Sequence, residues 1–225
     1  MAGDLLEKGA IVQRDKETYA IAPHIPGGII TDYGLLRKVA DVAEKFGAKA
    51  VKLTSAERFA IVGLRSQDLD QVWNELGMSA GAAVGLCVRS IKICPGTTFC
   101  RIAMQDAVGV GLKLDEKYHG HTLPNKFKIG VSGCPNNCSE SWIKDLGLVG
   151  MKTGWRVLAG GFASGLSPRL ANVIAIELND EQALALADKV IDWYEQAGKP
   201  KRLGRVIDEL GLEKFMQELG LPVVK

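Results

Sequence analysis

Four of the five cysteines fall into two tight pairs, and that spacing limits the fold of this 225-residue chain more than any other feature. Cys94 and Cys100 enclose PGTTF, and Cys134 and Cys138 enclose PNN. A C-x5-C pair and a later C-x3-C pair require a fold that carries two separated loops to one point. Four thiolates so gathered can hold a tetrahedral zinc ion or a [4Fe-4S] cluster. Structural zinc sites favour knuckles with two residues between the thiols, and the spacings here are longer. An i, i+4 pair on one helical turn stands its β-carbons about 5–6 Å apart, which suits separate corners of a cubane. A cluster therefore fits better than a lone ion, with zinc and four packed apolar thiols as the alternatives.

The neighbours of the cysteines agree with a cluster. Pro95 and Pro135 each follow a cysteine directly, removing an N–H and stiffening the loop, while Gly96 and Gly133 let backbone approach an inorganic core closely. Asn136 and Asn137 offer amide donors toward sulfur. Cys87, within AAVGLCV, reads as a packed core thiol.

Composition excludes several other classes. With 28 basic and 26 acidic side chains the formal net charge is +2, so nothing favours bulk nucleic-acid binding and any anion site must be local. The N-terminal stretch MAGDLLEKGAIVQRDKET has scattered charges and no apolar signal core, and no apolar run reaches membrane-span length. The expectation is a cytoplasmic protein with reduced cysteines.

Along the chain, TYAIAPHIPGGIIT reads as a strand running into a glycine-broken loop. Asp32 caps the helix YGLLRKVADVAEKFG, which stops at Gly47. AKAVKLTSAERFAIVGL reads as two strands around a polar turn and SQDLDQVWNELG as a second helix, together a compact α+β unit. The glycine- and alanine-rich GMSAGAAVGLC marks a boundary near residue 80, giving domains 1–80 and 81–225. The second domain is expected to hold a helix from Cys100 to about Lys113 and the strand KFKIGVSG. Short strands in LGLVGMKTGWRVLAGG follow, then another in ANVIAIEL, a helix starting at Asn179, and a helical tail packed on the outside.

RSIKICPGTTFC followed by KFKIGVSGCPNNCSE resembles the signature of the sirohaem and [4Fe-4S] sulfite and nitrite reductases. IPGGIIT with KLTSAERFAIVGL resembles the ferredoxin-like half domain that precedes it in that family. The chain carries the module once and is most similar to the small, single-module assimilatory-type sulfite reductases of anaerobes. The resemblance implies an α+β fold: a ferredoxin-like half domain, an α/β sirohaem-[4Fe-4S] domain, and the helical tail.

It also implies roles. Cys94, Cys100, Cys134 and Cys138 would ligate the cubane, with Cys138 also bridging to the sirohaem iron. Arg89, Lys126 and Lys128 match family residues of the active site, and the two lysines, at alternate strand positions, point to one face. They could bind sulfite oxygens and supply protons; the plainer alternative is a solvated strand edge. Lys52, Thr54 and Arg58 stand where the first domain meets the macrocycle carboxylates, with Asn136 beside the cluster. This turn departs from the fuller family motif, having Ser55, Ala56 and Glu57. His24 occupies the place of a substrate-contacting arginine, where a histidine could still donate a proton.

The implied activity is six-electron reduction of sulfite to sulfide, with an external donor such as a ferredoxin. Nitrite reduction to ammonia and a sirohaem-free [4Fe-4S] electron carrier are the alternatives. A homodimer would restore the second module of larger relatives. Weaker signals include His119 and His121, read as a solvated loop, and GVGLK, which lacks the third glycine of a dinucleotide fingerprint. Trp73 and Trp193 read as core. AGGFASG reads as a plain turn or as glycines against a flat ligand.

Overall fold

The computed structural model describes residues 3–222. The chain divides into two compact units, Met1–Gly85 and Leu86–Lys225, with the change falling inside the glycine- and alanine-rich seam.

The first unit is a four-stranded antiparallel sheet with two helices. Its strands β1 (Ala10–Val12), β2 (Thr18–Ile21), β3 (Ala50–Leu53) and β4 (Phe59–Arg65) lie in the order β1-β2-β4-β3. Helix α1 (Gly34–Lys45) begins where the Asp32 carboxylate accepts the Gly34 N–H at 2.8 Å, as expected of a capping aspartate. Helix α2 (Leu69–Leu76) ends on Gly77 at φ 68°, the left-handed conformation that glycine reaches without a Cβ penalty. The apolar stripe of each helix, Val39 and Val42 on α1 and Leu69, Val72, Trp73 and Leu76 on α2, packs against Ile21, Ile61 and Leu64 of the sheet.

The second unit is a mixed sheet, β5 (Val88–Ile93), β6 (Phe127–Ser132), β7 (Leu146–Met151), β8 (Gly154–Ala159) and β9 (Asn172–Leu178), in sequential order. The first three strands are parallel and the last two pairings antiparallel. Between β5 and β6 lie α3 (Gly96–Phe99) and α4 (Ala107–Tyr118), so the single helix expected from Cys100 to Lys113 is not formed. The reason is a competing acceptor: the N–H groups of Met104 and Gln105 both reach the Gly133 carbonyl, at 2.8 and 3.0 Å, which holds the segment after Cys100 extended. The helix restarts where Asp106 accepts the Gly109 N–H.

Helix α5 (Asp180–Ala197) starts at Asn179, as expected from the sequence, and opens on a complete capping box between Asn179 and Gln182. The tail forms α6 (Leu203–Leu210) and α7 (Leu212–Glu218). It is more than an outer cover, because Leu203, Ile207, Phe215 and Met216 join the main core with Phe127, Trp155 and Tyr194.

The sheet has two unlike faces. Phe127, Ile129 and Val131 of β6 point into that core, while Lys128, Gly130 and Ser132 point the other way. On this second face the segment after Cys138 lies flat on the strands. A Cβ at Gly130 would stand 2.9 Å from the Ser139 carbonyl, and one at Gly147 would stand 2.4 Å from that of Ser141.

Candidate cofactor and anion site

The two cysteine pairs meet because β5 and β6 are parallel neighbours. Ile93 is in register with Val131, and the N–H of Cys94 continues the ladder to the Val131 carbonyl at 3.0 Å. Both loops therefore leave the carboxyl ends of adjacent strands, the edge at which open α/β sheets place their ligands. Cys94 and Cys134 are buried, Cys100 is half-buried and Cys138 is exposed.

Backbone fits the loops together. Gly96 sits at φ 51°, where an added Cβ would be 2.7 Å from the Ala107 nitrogen; one on Gly133 would be 2.7 Å from the Gln105 carbonyl and 3.0 Å from Gly96 Cα. This closeness lets the Gly133 N–H donate to Cys94 Sγ at 3.0 Å. Burial pushes the Cys94 thiol up, the N–H groups of Gly133 and Gly96 act against this, and the sulfurs of Cys138 and Cys134 raise it further. Thiolates that repel one another while accepting backbone N–H groups form a donor set for a cationic core. The four cysteines thus suit a [4Fe-4S] cluster.

The second loop is braced from below by serines. Ser139 donates to the Val131 carbonyl at 2.9 Å, Ser141 donates to that of Leu148 at 3.0 Å, and the Ser132 and Ser141 hydroxyls are 3.0 Å apart. Asn137, at φ 56°, turns its side-chain oxygen to the Ser141 N–H at 2.7 Å. That oxygen serves the loop, and the donor aimed at sulfur is the Gly133 backbone. Asn136 is exposed.

Cations gather around Lys128, whose ammonium feels Lys144, Arg202 and Lys126. The register slips between Val88 and Ser90, which leaves half-buried Arg89 as the extra residue of a bulge, a device that re-aims a side chain. Lys126 and Lys128 are half-buried, and among the described residues no ion pair joins their ammonium groups. Lys92 and Lys144, which the spacing analysis missed, both reach Glu140, at 3.3 and 2.8 Å. Lys92 could have been found from the parallel register, which sets it beside Gly130. Asp145 is fully buried and pairs with Arg202, at 2.8 and 2.6 Å, while accepting the Lys128 N–H at 2.8 Å. No local pattern announces a partner so distant in sequence.

The Lys128 ammonium is held below the ordinary lysine range, first by burial and then by Lys144, Arg202 and Lys126, with Asp145 opposing. Burial raises the Asp145 carboxyl against the pull of Arg202 and the Lys128 N–H.

Within the first unit, the β3–β4 turn holds Lys52, Thr54 and Arg58. Lys52 is exposed on a strand whose four residues all face solvent. Thr54 spends its hydroxyl proton on the Arg58 carbonyl at 3.0 Å, closing the turn, and Glu57 adopts φ 58° within it. Arg58 is buried and lines a cleft of about 190 Å³ with Ile25, Gly28, Thr54 and Phe59. His24 follows β2 in the same unit, ahead of the Pro26–Gly28 turn.

The remaining signals resolve into structure. His121 lies 2.9 Å from Glu195, which ties the HGH loop to α5, and the ring nitrogens of His119 are shielded from solvent, so the loop is not the solvated one expected from the sequence. Cys87 is buried and its backbone bridges Thr122. Trp73 donates to the Lys8 carbonyl, and Trp193, only half-buried, stacks edge-on against Phe215 and donates to Glu218. Gly160 and Gly161 make room for protein: added β-carbons would meet Gly204 at 3.0 Å and the Trp142 carbonyl at 2.4 Å.

Known proteins share this arrangement. Residues 84–225 match the family model described as the nitrite and sulphite reductase 4Fe-4S domain, and residues 11–79 match the nitrite/sulfite reductase ferredoxin-like half domain. The chain is 42% identical over 211 residues to an assimilatory-type sulfite reductase of Nitratidesulfovibrio vulgaris, covering 93% of this chain and 96% of that protein. It is 36% identical over 214 residues to a nitrite reductase [NAD(P)H] of Bacillus subtilis, covering 95% of this chain and 26% of the larger protein. A dissimilatory sulfite reductase I structure superposes with TM-score 0.81 at 16% identity, over 92% of this chain and 70% of the other. The NirA protein of Mycobacterium tuberculosis superposes with TM-score 0.74 at 16% identity, over 92% and 41%. These last two likenesses concern the fold.

Proposed function

Because the chain belongs to the nitrite and sulphite reductase family, we propose that it reduces sulfite to sulfide at a sirohaem coupled to a [4Fe-4S] cluster, with electrons from an external donor. What supports this reading is that the two cysteine loops leave the carboxyl ends of the parallel neighbours β5 and β6, the latter carrying Lys128 and preceded by Lys126. Cys94, Cys100, Cys134 and Cys138 would hold the cluster, with exposed Cys138 the one free to share a second iron. Bound there, the two groups supply one-electron steps and a ferrous centre for a lone pair.

The chain's own residues do the rest. Sulfite needs six electrons and seven protons to become hydrosulfide and three waters, so the site must bind an anion and deliver protons repeatedly. Lys126 and Lys128 do both from one face, as hydrogen-bonding cations in a partly dry setting. Arg89, aimed by its bulge, adds a planar fork suited to an oxyanion. By family resemblance His24 is assigned to the substrate and Lys52, Thr54 and Arg58 to the macrocycle carboxylates, with Asn136 beside the cluster.

Sulfite is preferred over nitrite because the chain spans nearly all of the assimilatory-type sulfite reductase and about a quarter of the nitrite reductase. Nitrite reduction to ammonia is the second reading, since both substrates offer a lone pair to iron. No helix among the described residues is long and apolar enough to cross a membrane, and we assign the protein to the cytoplasm. A homodimer would supply the second module of larger relatives, and sedimentation tests it. The function is tested by the visible spectrum of anaerobically purified protein, with iron and sulfide analysis, before and after sulfite. A Soret band that shifts with sulfite, with iron beyond that of a cubane, is expected. Iron and sulfide with no Soret band, even after reconstitution with sirohaem, would leave an electron carrier.

A further inference from the structure

Asp145 has no exposed surface, and both carboxylate oxygens are engaged. Oδ1 accepts from Arg202 Nε at 2.8 Å, and Oδ2 accepts from Arg202 Nη2 at 2.6 Å and from the Lys128 N–H at 2.8 Å. Arg202 is also confined: its guanidinium lies 5.3 Å from the centre of the Phe162 ring and donates to Ser164. As a stabilising device such a pair is a poor choice, because desolvation offsets most of the attraction and two apolar side chains could pack α6 equally well. Its contact with β6 points elsewhere.

Lys128 looks out on a face rich in positive charge. Lys126 comes from its own strand, Lys144 from the approach to β7 and Arg202 from the head of α6. Lys92 and Glu140 are joined on the same face, Arg89 stands at the β5 bulge, and Tyr194 of α5 senses Asp145 from the core side. Asp145 opposes the cations that act on Lys128.

We propose that Asp145 is a positioning residue for Lys128, fixing the strand backbone there and keeping the ammonium charged within a cation-rich face, while Arg202 holds the carboxylate from the C-terminal helices. The catalytic meaning of this device rests on the role given to Lys128 above. The device itself does not. The tail thereby becomes part of the site's electrostatics.

The test is trace labelling of lysines with acetic anhydride across pH, with Lys128 read by mass spectrometry in the full-length, cofactor-loaded protein. D145N keeps an oxygen for the Lys128 N–H and removes the charge, so Lys128 should lose its proton at lower pH and label about tenfold faster at a fixed pH on the rising limb. D145N/R202M removes the neighbouring cation as well, and labelling should return toward wild type although more structure has been lost. An unchanged D145N curve would overturn the proposal, as would a double variant that labels faster still, the pattern of simple loosening. The pH profile of sulfite reduction in the same variants separates the two levels of the argument. If it follows the labelling curve, Lys128 acts in the reaction; if the labelling moves and the profile does not, the Asp145 device stands and the catalytic role of Lys128 falls.

Discussion

The Gly133 backbone N–H points at Cys94 Sγ from 3.0 Å, joining the second cysteine loop to the first cysteine. The Gly133 carbonyl meanwhile accepts from Met104 and Gln105. The backbone of a single residue pins both loops. The substitution G133A would drive a Cβ to 2.7 Å from the Gln105 carbonyl and force the loops apart. Overpacking of this kind costs about 1–3 kcal/mol. Iron and acid-labile sulfide per chain should fall by more than half, with a lowered unfolding midpoint.

The five cysteines should divide cleanly under serine substitution. C94S, C134S and C138S are expected to lose most bound iron and sulfide, as is C100S. C87S should retain both, because Cys87 is buried away from the two loops, with its backbone bridged to Thr122. Iron analysis of the five variants checks this.

Removing a fixed cation from an oxyanion site typically costs about 100-fold in rate. K128M is therefore expected to lower kcat/KM for sulfite by about that factor while leaving the absorption spectrum in place. K128R should keep part of the activity through its charge.

The alkaline limit of activity should fall below the range of an ordinary lysine. Lys128 is depressed by burial and neighbouring cations, so its proton is lost early as pH rises, and proton delivery is lost with it. K128R, which stays charged, should flatten this limb. The sign for stability is opposite. Between the depressed folded value and the ordinary value of 10.5 the unfolded chain binds more protons, so the Lys128 contribution makes folding more favourable as pH rises through that window. Parallel pH series of activity and of denaturant midpoints distinguish the two trends.

Glu140 neutralises Lys92 and Lys144 from a left-handed backbone position. E140Q frees two ammonium groups on the anion-binding face. The KM for sulfite should fall severalfold, and its dependence on salt should steepen, since the added attraction is screened by ions. An unchanged KM at low ionic strength would show that these lysines do not face the substrate.

What could be read from the chain was what is encoded locally. The cysteine spacing and the Asp32 and Asn179 caps each involve residues within a few positions. The expected helix after Cys100 failed because its N–H groups found an acceptor in Gly133, which no nearby residue signals. Arg202 was missed for the same reason: its partner Asp145 lies 57 positions away. Asn137 was legible as a polar loop residue, but whether its amide served sulfur or Ser141 depended on where the chain turned next.

Gly130 and Gly147 lie in ordinary strands, yet each leaves space that another stretch of backbone fills. Such a glycine is an omitted volume, not a flexible joint. In a library of random variants both positions should reject even alanine, while the cysteine-bearing segment above them tolerates change at outward-facing Asn136. Inherited variation in this fold would then be narrowest in a pair of residues that touch no ligand at all.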